Sequence, residues 1–173
     1  MNRIMVIGVS PGVGKSTFAR ELGEELHMNV YHLDAYFWKP GWVMKAVDEF
    51  AAEQQEIVER EQWIIEGNYN NTYEVRVAHA DTIIYLELPL YVCLYRVCKR
   101  WIKNFGQTRS DMGEGCKEKL DVEFIRYIVT TYNRRKKTMK KRLQAFEEQR
   151  SLNKVIVLTN KKAIRTYLNT VCG

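Results

Sequence analysis

The sequence predicts an α/β domain: a five-stranded, mainly parallel sheet with helices on both faces. Three observations carry that prediction. Short, nearly all-apolar, β-rich runs alternate with longer runs of helical periodicity along the 173 residues. A glycine-rich segment ending in Lys-Ser-Thr stands between the first apolar run and the first amphipathic one. Carboxylates fall at or just after the ends of the next strands, where the site of an open parallel sheet belongs.

The strands are expected at Ile4 to Gly8, Val30 to Leu33, Trp63 to Glu66, Thr82 to Leu88 and Val155 to Leu158. Each is short and nearly all apolar, as expected for strands buried on both faces. Phe18, Leu22 and Leu26 mark one face of a first helix, and Val47, Phe50, Ile57 and Val58 one face of a second. Another helix begins at Pro89, a favoured first-turn residue, and runs to about Asn104. From Asp121, the spacing of Ile125, Ile128, Val129, Tyr132, Met139, Leu143 and Phe146 predicts a long amphipathic stretch, read as two helices bent near Asn133. Between them, Gly106 to Lys119 is rich in glycine and charge and lacks apolar periodicity. It reads as a functional loop of a single domain spanning residues 1 to 173, with a lid at about 105 to 120.

The N-terminal run breaks at Gly8, too early for a secretory h-region, and no run approaches the ~18 apolar residues of a membrane span. The expectation is a soluble, cytoplasmic protein. Cys93, Cys98, Cys116 and Cys172 form no CxxC pair and lack the histidine spacing of structural zinc, so they read as free thiols. The net charge is +6, and residues 89 to 150 hold sixteen of the 27 Lys and Arg but seven of the 21 acids. That asymmetry points to an anionic partner, either nucleotide phosphates or a nucleic-acid backbone, with a solvated helix face as the plainer alternative.

The segment Ser10, Pro11, Gly12, Val13, Gly14, Lys15, Ser16 and Thr17 has the chemistry of a phosphate-binding loop. Its glycines let backbone N–H groups converge on phosphate oxygens, and the following helix N-terminus adds roughly half a positive charge. Lys15 then reaches the β- and γ-phosphates and Ser16 ligates Mg²⁺. The loop departs from the usual pattern at its first glycine, where Val9 stands with Gly8 one place earlier. The fold class is therefore that of the P-loop NTPases, with ATP and Mg²⁺ as expected ligands.

Downstream, Asp34 follows the second strand and leads into Tyr36, Phe37, Trp38 and Trp42. A carboxylate there can orient or deprotonate an acceptor hydroxyl, or hold Mg²⁺ through water; it can also cap a turn. The aromatics suit a flat ligand or the core. Glu66 ends an apolar strand, the arrangement that holds the water shell of Mg²⁺ beside a P-loop. Arg96 and Arg100, four apart on one helix face, can meet a single phosphate. Arg109 in the glycine-rich loop can close on the transferring phosphoryl group and exclude water.

The order SPGVGKST, HLDAYFWKPGW, WIIEGNY, DTIIYLELP and TRSDMGEGC…DVEFIRYI resembles the DNA topology modulation proteins of FlaR type, a bacterial branch of the adenylate-kinase-like P-loop kinases. The resemblance covers almost the whole chain. It implies an adenylate-kinase-like fold with a lid and a γ-phosphoryl transfer to a small acceptor, a nucleotide or nucleoside. It assigns Asp34, Arg96, Arg100 and Arg109 to catalysis, with Arg126 or Arg134 as a second lid arginine. The ATP base would lie between the lid helix and Thr159, Asn160, Lys161 and Lys162. The chain departs from adenylate kinase after Glu66-Gly67, where Asn68, Tyr69 and Asn70 replace the arginine that holds the acceptor's phosphate. The family's name implies the competing class, a DNA-binding modulator with ATP as regulator. Its support in the sequence is the run Arg134, Arg135, Lys136, Lys137, Lys140, Lys141 and Arg142, which suits weak, non-specific nucleic-acid binding through phosphates.

Overall fold

The computed structural model describes residues 1–108, 111–117 and 120–171. Strand β1 (Arg3–Gly8) leads into α1 (Lys15–Leu26), then β2 (Val30–His32) and the short α2 (Leu33–Phe37). A two-stranded hairpin follows, β3 (Trp38–Lys39) with β4 (Val43–Met44), and then α3 (Val47–Val58) and β5 (Trp63–Glu66). The chain continues through α4 (Tyr73–Val77), β6 (Thr82–Leu86), α5 (Leu90–Lys103), α6 (Val122–Gln149), β7 (Lys154–Leu158) and α7 (Lys161–Val171).

All five long strands pair in parallel, in the order β2-β5-β1-β6-β7. Nearly every residue of β1, and all of β5 and β6, is buried, so helices cover the sheet on both faces. Truncating a side chain such as Trp63 or Phe146 in this core costs on the order of 3–5 kcal/mol. The register aligns Val6 and His32 with Glu66, and Gly8 with Leu86, so the four segments that follow these strands leave the sheet at one carboxyl edge.

The expected strands are all present, with four differences around them. Leu33 belongs to α2 rather than β2: its side chain is fully buried while the backbone turns helical. The fourth strand stops at Leu86, because the chain must turn before Pro89, which caps α5. Val47 is exposed and the polar Gln54 takes its place on the buried face of α3, where its side-chain amide donates to the Phe50 carbonyl and accepts from the Thr72 hydroxyl. The stretch from Val122 to Gln149 is one helix that runs unbroken through Asn133, with Ile128, Thr131, Met139, Leu143 and Phe146 buried along it. Asp121 caps it, accepting from the Phe124 N–H at 2.7 Å. Among the described residues no helix is long and apolar enough to cross a membrane, and Cys93, Cys98 and Cys116 are free; Cys172 lies outside the described residues.

Asp81 fastens the start of β1 to that of β6. Its carboxylate accepts from the N–H groups of Asn2 and Arg3 at 2.7 and 3.0 Å and from the Thr82 hydroxyl at 2.6 Å. Burial opposes ionisation, but these donors outweigh it and hold the carboxyl below its ordinary value. A folded-state value below the unfolded one stabilises the protein at higher pH, and that stabilisation is lost as pH falls through the carboxylate range. Asp81→Asn is therefore expected to lower Tm at neutral pH and to flatten its acid-side decline. Equal wild-type and variant stability curves between pH 3 and 7 would count against this clasp.

Candidate active site

The chain from Gly8 to Ser16 wraps around the N-terminus of α1. Gly12 and Gly14 have φ of +78° and +102°, a backbone that side chains resist. A Cβ at Gly12 would also lie 2.3 Å from the Cys93 carbonyl oxygen on α5. Val9 needs no such freedom: its φ is not positive, its side chain is buried, and its N–H extends the sheet by donating to the Leu86 carbonyl at 2.9 Å. The missing first glycine thus changes the way into the loop and leaves its curvature intact. Ser10 and Val13 are fully buried, and Pro11 has no N–H. Gly14 gives α1 no side-chain cap, so the N–H groups of its first turn remain available to an anion. Ser16 is half-buried beside Glu66, while Thr17 is exposed on the first turn.

Glu66, 3% exposed, is the hub of the polar cluster next to this loop. The Ser16 hydroxyl donates to its Oε2 at 3.1 Å, His32 Nδ1 lies 3.1 Å from the same oxygen, and Lys15 Nζ is 3.7 Å from Oε1. Burial works against its charge; the His32 hydrogen bond, the Lys15 cation and the Ser16 hydroxyl together prevail and keep the carboxyl below its ordinary value. His32 is a partner that the sequence did not single out, although it is paired with Glu66 across β2 and β5. These groups fit a magnesium–triphosphate ligand. Ser16 and Glu66 are hard oxygen donors one hydrogen bond apart, and Mg²⁺ characteristically takes one or two protein oxygens and completes its shell with phosphates and water. Lys15 stands where a phosphate can replace Glu66 as its partner.

Asp34, in the first turn of α2, faces the loop after β5. The Tyr69 hydroxyl donates to Asp34 Oδ1 at 2.6 Å, and burial together with the carboxylate raises the Tyr69 hydroxyl far above its ordinary value, so it remains a donor. This contact fixes the carboxylate's orientation. Phe37 packs on Tyr69, Trp38 and Phe50 with ring centroids 4.8, 5.0 and 5.1 Å apart, and Trp38 meets Trp42 at 5.3 Å. Phe37 and Tyr69 pack against the core beside Phe50, while Trp38 and Trp42 are partly buried at its edge.

Two residues that organise the site escaped the sequence. Asn68 grips Gly8 at both backbone groups, accepting from its N–H at 2.9 Å and donating to its carbonyl at 2.5 Å. Arg76 is wholly buried and donates to the carbonyls of Gly67, Tyr69 and Thr72, shaping the loop that presents Asn68 and Tyr69. Burial pulls its guanidinium down to about 10, which leaves it charged at neutral pH. The available signal was weak: an amide two residues after a strand-end carboxylate, and an arginine on a short helix that also carries Glu74.

Arg96, on α5, donates to the Val13 carbonyl at 2.7 Å and so lies against the phosphate loop. Arg100 is one turn further along, half-buried. Arg109 lies outside the described residues. The described residues of the segment 105–120, expected to act as a lid, form no helix or strand; Thr108 and Lys117 form an isolated bridge. The segment rests on the β3–β4 hairpin, where the Trp42 ring N–H donates to the Lys117 carbonyl at 3.0 Å and the Cys116 thiol to that of Lys39 at 3.4 Å. On α6 the seven-cation run winds around the helix and is partly committed. Arg135 lies over the Tyr127 ring, Lys136 pairs with Glu87 at 2.7 Å, and Arg142 lies over the Tyr73 ring and donates to Asn70 at 2.6 Å.

The sheet order, the glycine loop and the uncapped helix behind it define a P-loop NTPase fold. Solved kinases share it. A shikimate kinase from Acinetobacter baumannii in complex with shikimate aligns with a TM-score of 0.55 at 16% identity, covering 99% of this chain and 90% of that one. A deoxyadenosine kinase from M. mycoides with bound dATP aligns with a TM-score of 0.55 at 16% identity over 100% of both chains, and the same kinase with bound dCTP at 0.50 and 15% over 97% of each. No family model and no curated protein matches the chain. At these identities the likeness is one of fold.

Proposed function

We propose that this protein is a phosphotransferase of the adenylate-kinase-like type, which binds Mg·ATP and passes the γ-phosphoryl group to a hydroxyl of a small acceptor, a nucleotide or nucleoside. The observation that carries this reading is the convergence of Lys15, Ser16 and His32 on Glu66 beside an uncapped helix N-terminus. It is a triphosphate and cation site whose polar groups are already assembled. The motif order that resembles the topology modulation proteins supports the same placement, in a cytoplasmic setting that supplies ATP.

The chemistry asked of the residues is positional and electrostatic. The loop amides and Lys15 hold the phosphates, and Ser16 and Glu66 hold the metal. Mg²⁺ bound there would neutralise phosphate charge and align the β- and γ-groups. Asp34, oriented by Tyr69, takes the acceptor's proton as the new oxygen–phosphorus bond forms and the bond to the β-phosphate oxygen breaks. Arg96, Arg100 and Arg109 meet the charge on the transferring group. A depression of about 350 Å³ lined by Leu88, Tyr132, Lys136 and Thr159 lies between α6 and the end of β7, and it supports seating the ATP base there. The DNA-binding reading draws no comparable support: three of its seven cations already have partners within the chain.

Thermal melting with Mg·ATP tests the proposal. A ligand held by the native state alone, at one hundred times its Kd, stabilises by about 2.7 kcal/mol, a rise of roughly 5–10 °C for a chain of this size. An unchanged Tm at millimolar Mg·ATP would sink it. Acceptor-dependent release of ADP, screened over nucleosides, nucleotides and hydroxyl compounds, then tests the transfer itself.

A further inference from the structure

We propose that α5 carries a homodimer interface: an exposed apolar stripe of Tyr91, Tyr95, Cys98, Ile102 and Phe105 packs antiparallel against the same stripe of a second copy, with Cys98 near the two-fold axis. This surface lies outside the nucleotide site, so it stands or falls independently of the phosphotransferase reading.

The five residues recur at steps of four, three, four and three, the spacing that keeps side chains on one face of a helix. That face is turned away from the core. The buried residues of α5 are Cys93 and Val97, and Arg96 reaches the Val13 carbonyl from another side of the helix. On the stripe, Tyr91 is 73% exposed, Tyr95 64%, Ile102 70% and Phe105, just past the helix end, 70%. Half-buried Leu94 and Trp101 border it along one side, and Trp101 meets Phe105 edge-on with ring centroids 5.5 Å apart. Cys98, a half-buried free thiol, lies at its middle.

Single apolar residues on a surface are ordinary; a continuous stripe calls for a partner. At about 150–250 Å² per aromatic side chain, the exposed parts of Tyr91, Tyr95 and Phe105 amount to about 300–500 Å², the size of the largest patch on a typical monomer. Two copies double that, and Ile102, Leu94, Cys98 and Trp101 bring the total to about 1,200 Å², the lower bound for a stable, specific interface.

A two-fold interface also needs a patch complementary to itself. Tyr95 and Ile102 lie three and four residues from Cys98 on either side, and Tyr91 and Phe105 each lie seven from it. Antiparallel pairing about Cys98 therefore sets Tyr95 against Ile102 of the other copy, Tyr91 against Phe105, and Leu94 against Trp101 along the border. The helix has no acidic residue, and Lys99 flanks the stripe opposite Trp101. Two such helices bring like charges together, so the contact rests on apolar burial, with the Lys99 stems along it and their amines in water. Salt screens that repulsion and strengthens the pair, whereas it would release an acidic partner or an anionic lipid surface held by the same cations.

Sedimentation velocity of the full chain, from low to high micromolar concentration at low and high salt, is the test. A monomer–dimer equilibrium that tightens with salt is expected. Tyr95→Glu combined with Ile102→Glu is expected to weaken it by more than about 30-fold, the scale for losing central contacts of an interface. The circular dichroism spectrum should not change, since both side chains are exposed in the single chain. In a Cys172→Ser background, mild oxidation is expected to join two copies through Cys98, and Cys98→Ser to abolish the link. The proposal is overturned if the chain stays monomeric throughout, if the double variant dimerises as wild type does, or if association weakens with salt. Binding of the monomer to phosphatidylglycerol vesicles through Tyr95 and Ile102 would likewise replace the second copy with a lipid surface. A dimer that the double variant dissociates but that Cys98 cannot link overturns the antiparallel arrangement.

Discussion

Asp34→Asn is expected to reduce acceptor-dependent turnover roughly 10²- to 10⁴-fold, the range for a lost general base, with Mg·ATP affinity close to wild type. The substitution keeps the shape of the side chain, and the Tyr69 hydroxyl, 2.6 Å away, can still donate to the remaining amide oxygen. What is lost is the capacity to take a proton. Single-turnover rates and Mg·ATP titrations on the same preparation separate the two roles considered for this carboxylate. A fall in Mg·ATP affinity alongside turnover would assign Asp34 to the metal's water shell, and a variant with both quantities unchanged would make it a structural residue of α2.

Lys15→Ala is expected to weaken Mg·ATP binding by on the order of 10²- to 10³-fold, since truncating one member of a desolvated charge pair costs about 2–5 kcal/mol. The fold should survive. Lys15 Nζ meets Glu66 at 3.7 Å, and without it Glu66 keeps the Ser16 hydroxyl and His32. Circular dichroism and a melt without nucleotide check the fold, and titration calorimetry checks the affinity. Wild-type affinity in the variant would remove Lys15 from the phosphate site and undermine the reading of the whole loop.

The parts of this protein legible in its sequence are those whose physics is local. Five apolar runs announce the parallel strands, and β1, β5 and β6 are buried on both faces as such runs imply, whereas β2 and β7 lie at the sheet edges and are only partly buried. The phosphate loop is legible because its turn, its cation and its hydroxyl lie within one short segment and the required backbone favours glycine at Gly12 and Gly14. Glu66 was legible for the same reason, as a carboxylate ending an apolar strand. What only the tertiary structure decided are relations across long stretches of chain. Sixty residues separate Asn68 from Gly8 and thirty-five separate Tyr69 from Asp34, and both pairs exist because β5 lies between β2 and β1. Arg76 carries no signal in the sequence, and only the fold buries it among three carbonyls. The basic run of α6 reads as a single patch until the turn of the helix distributes it and Tyr127, Glu87 and Tyr73 claim part of it. A residue type states what a side chain can bond to; the order of strands in the sheet determines which partner comes within reach.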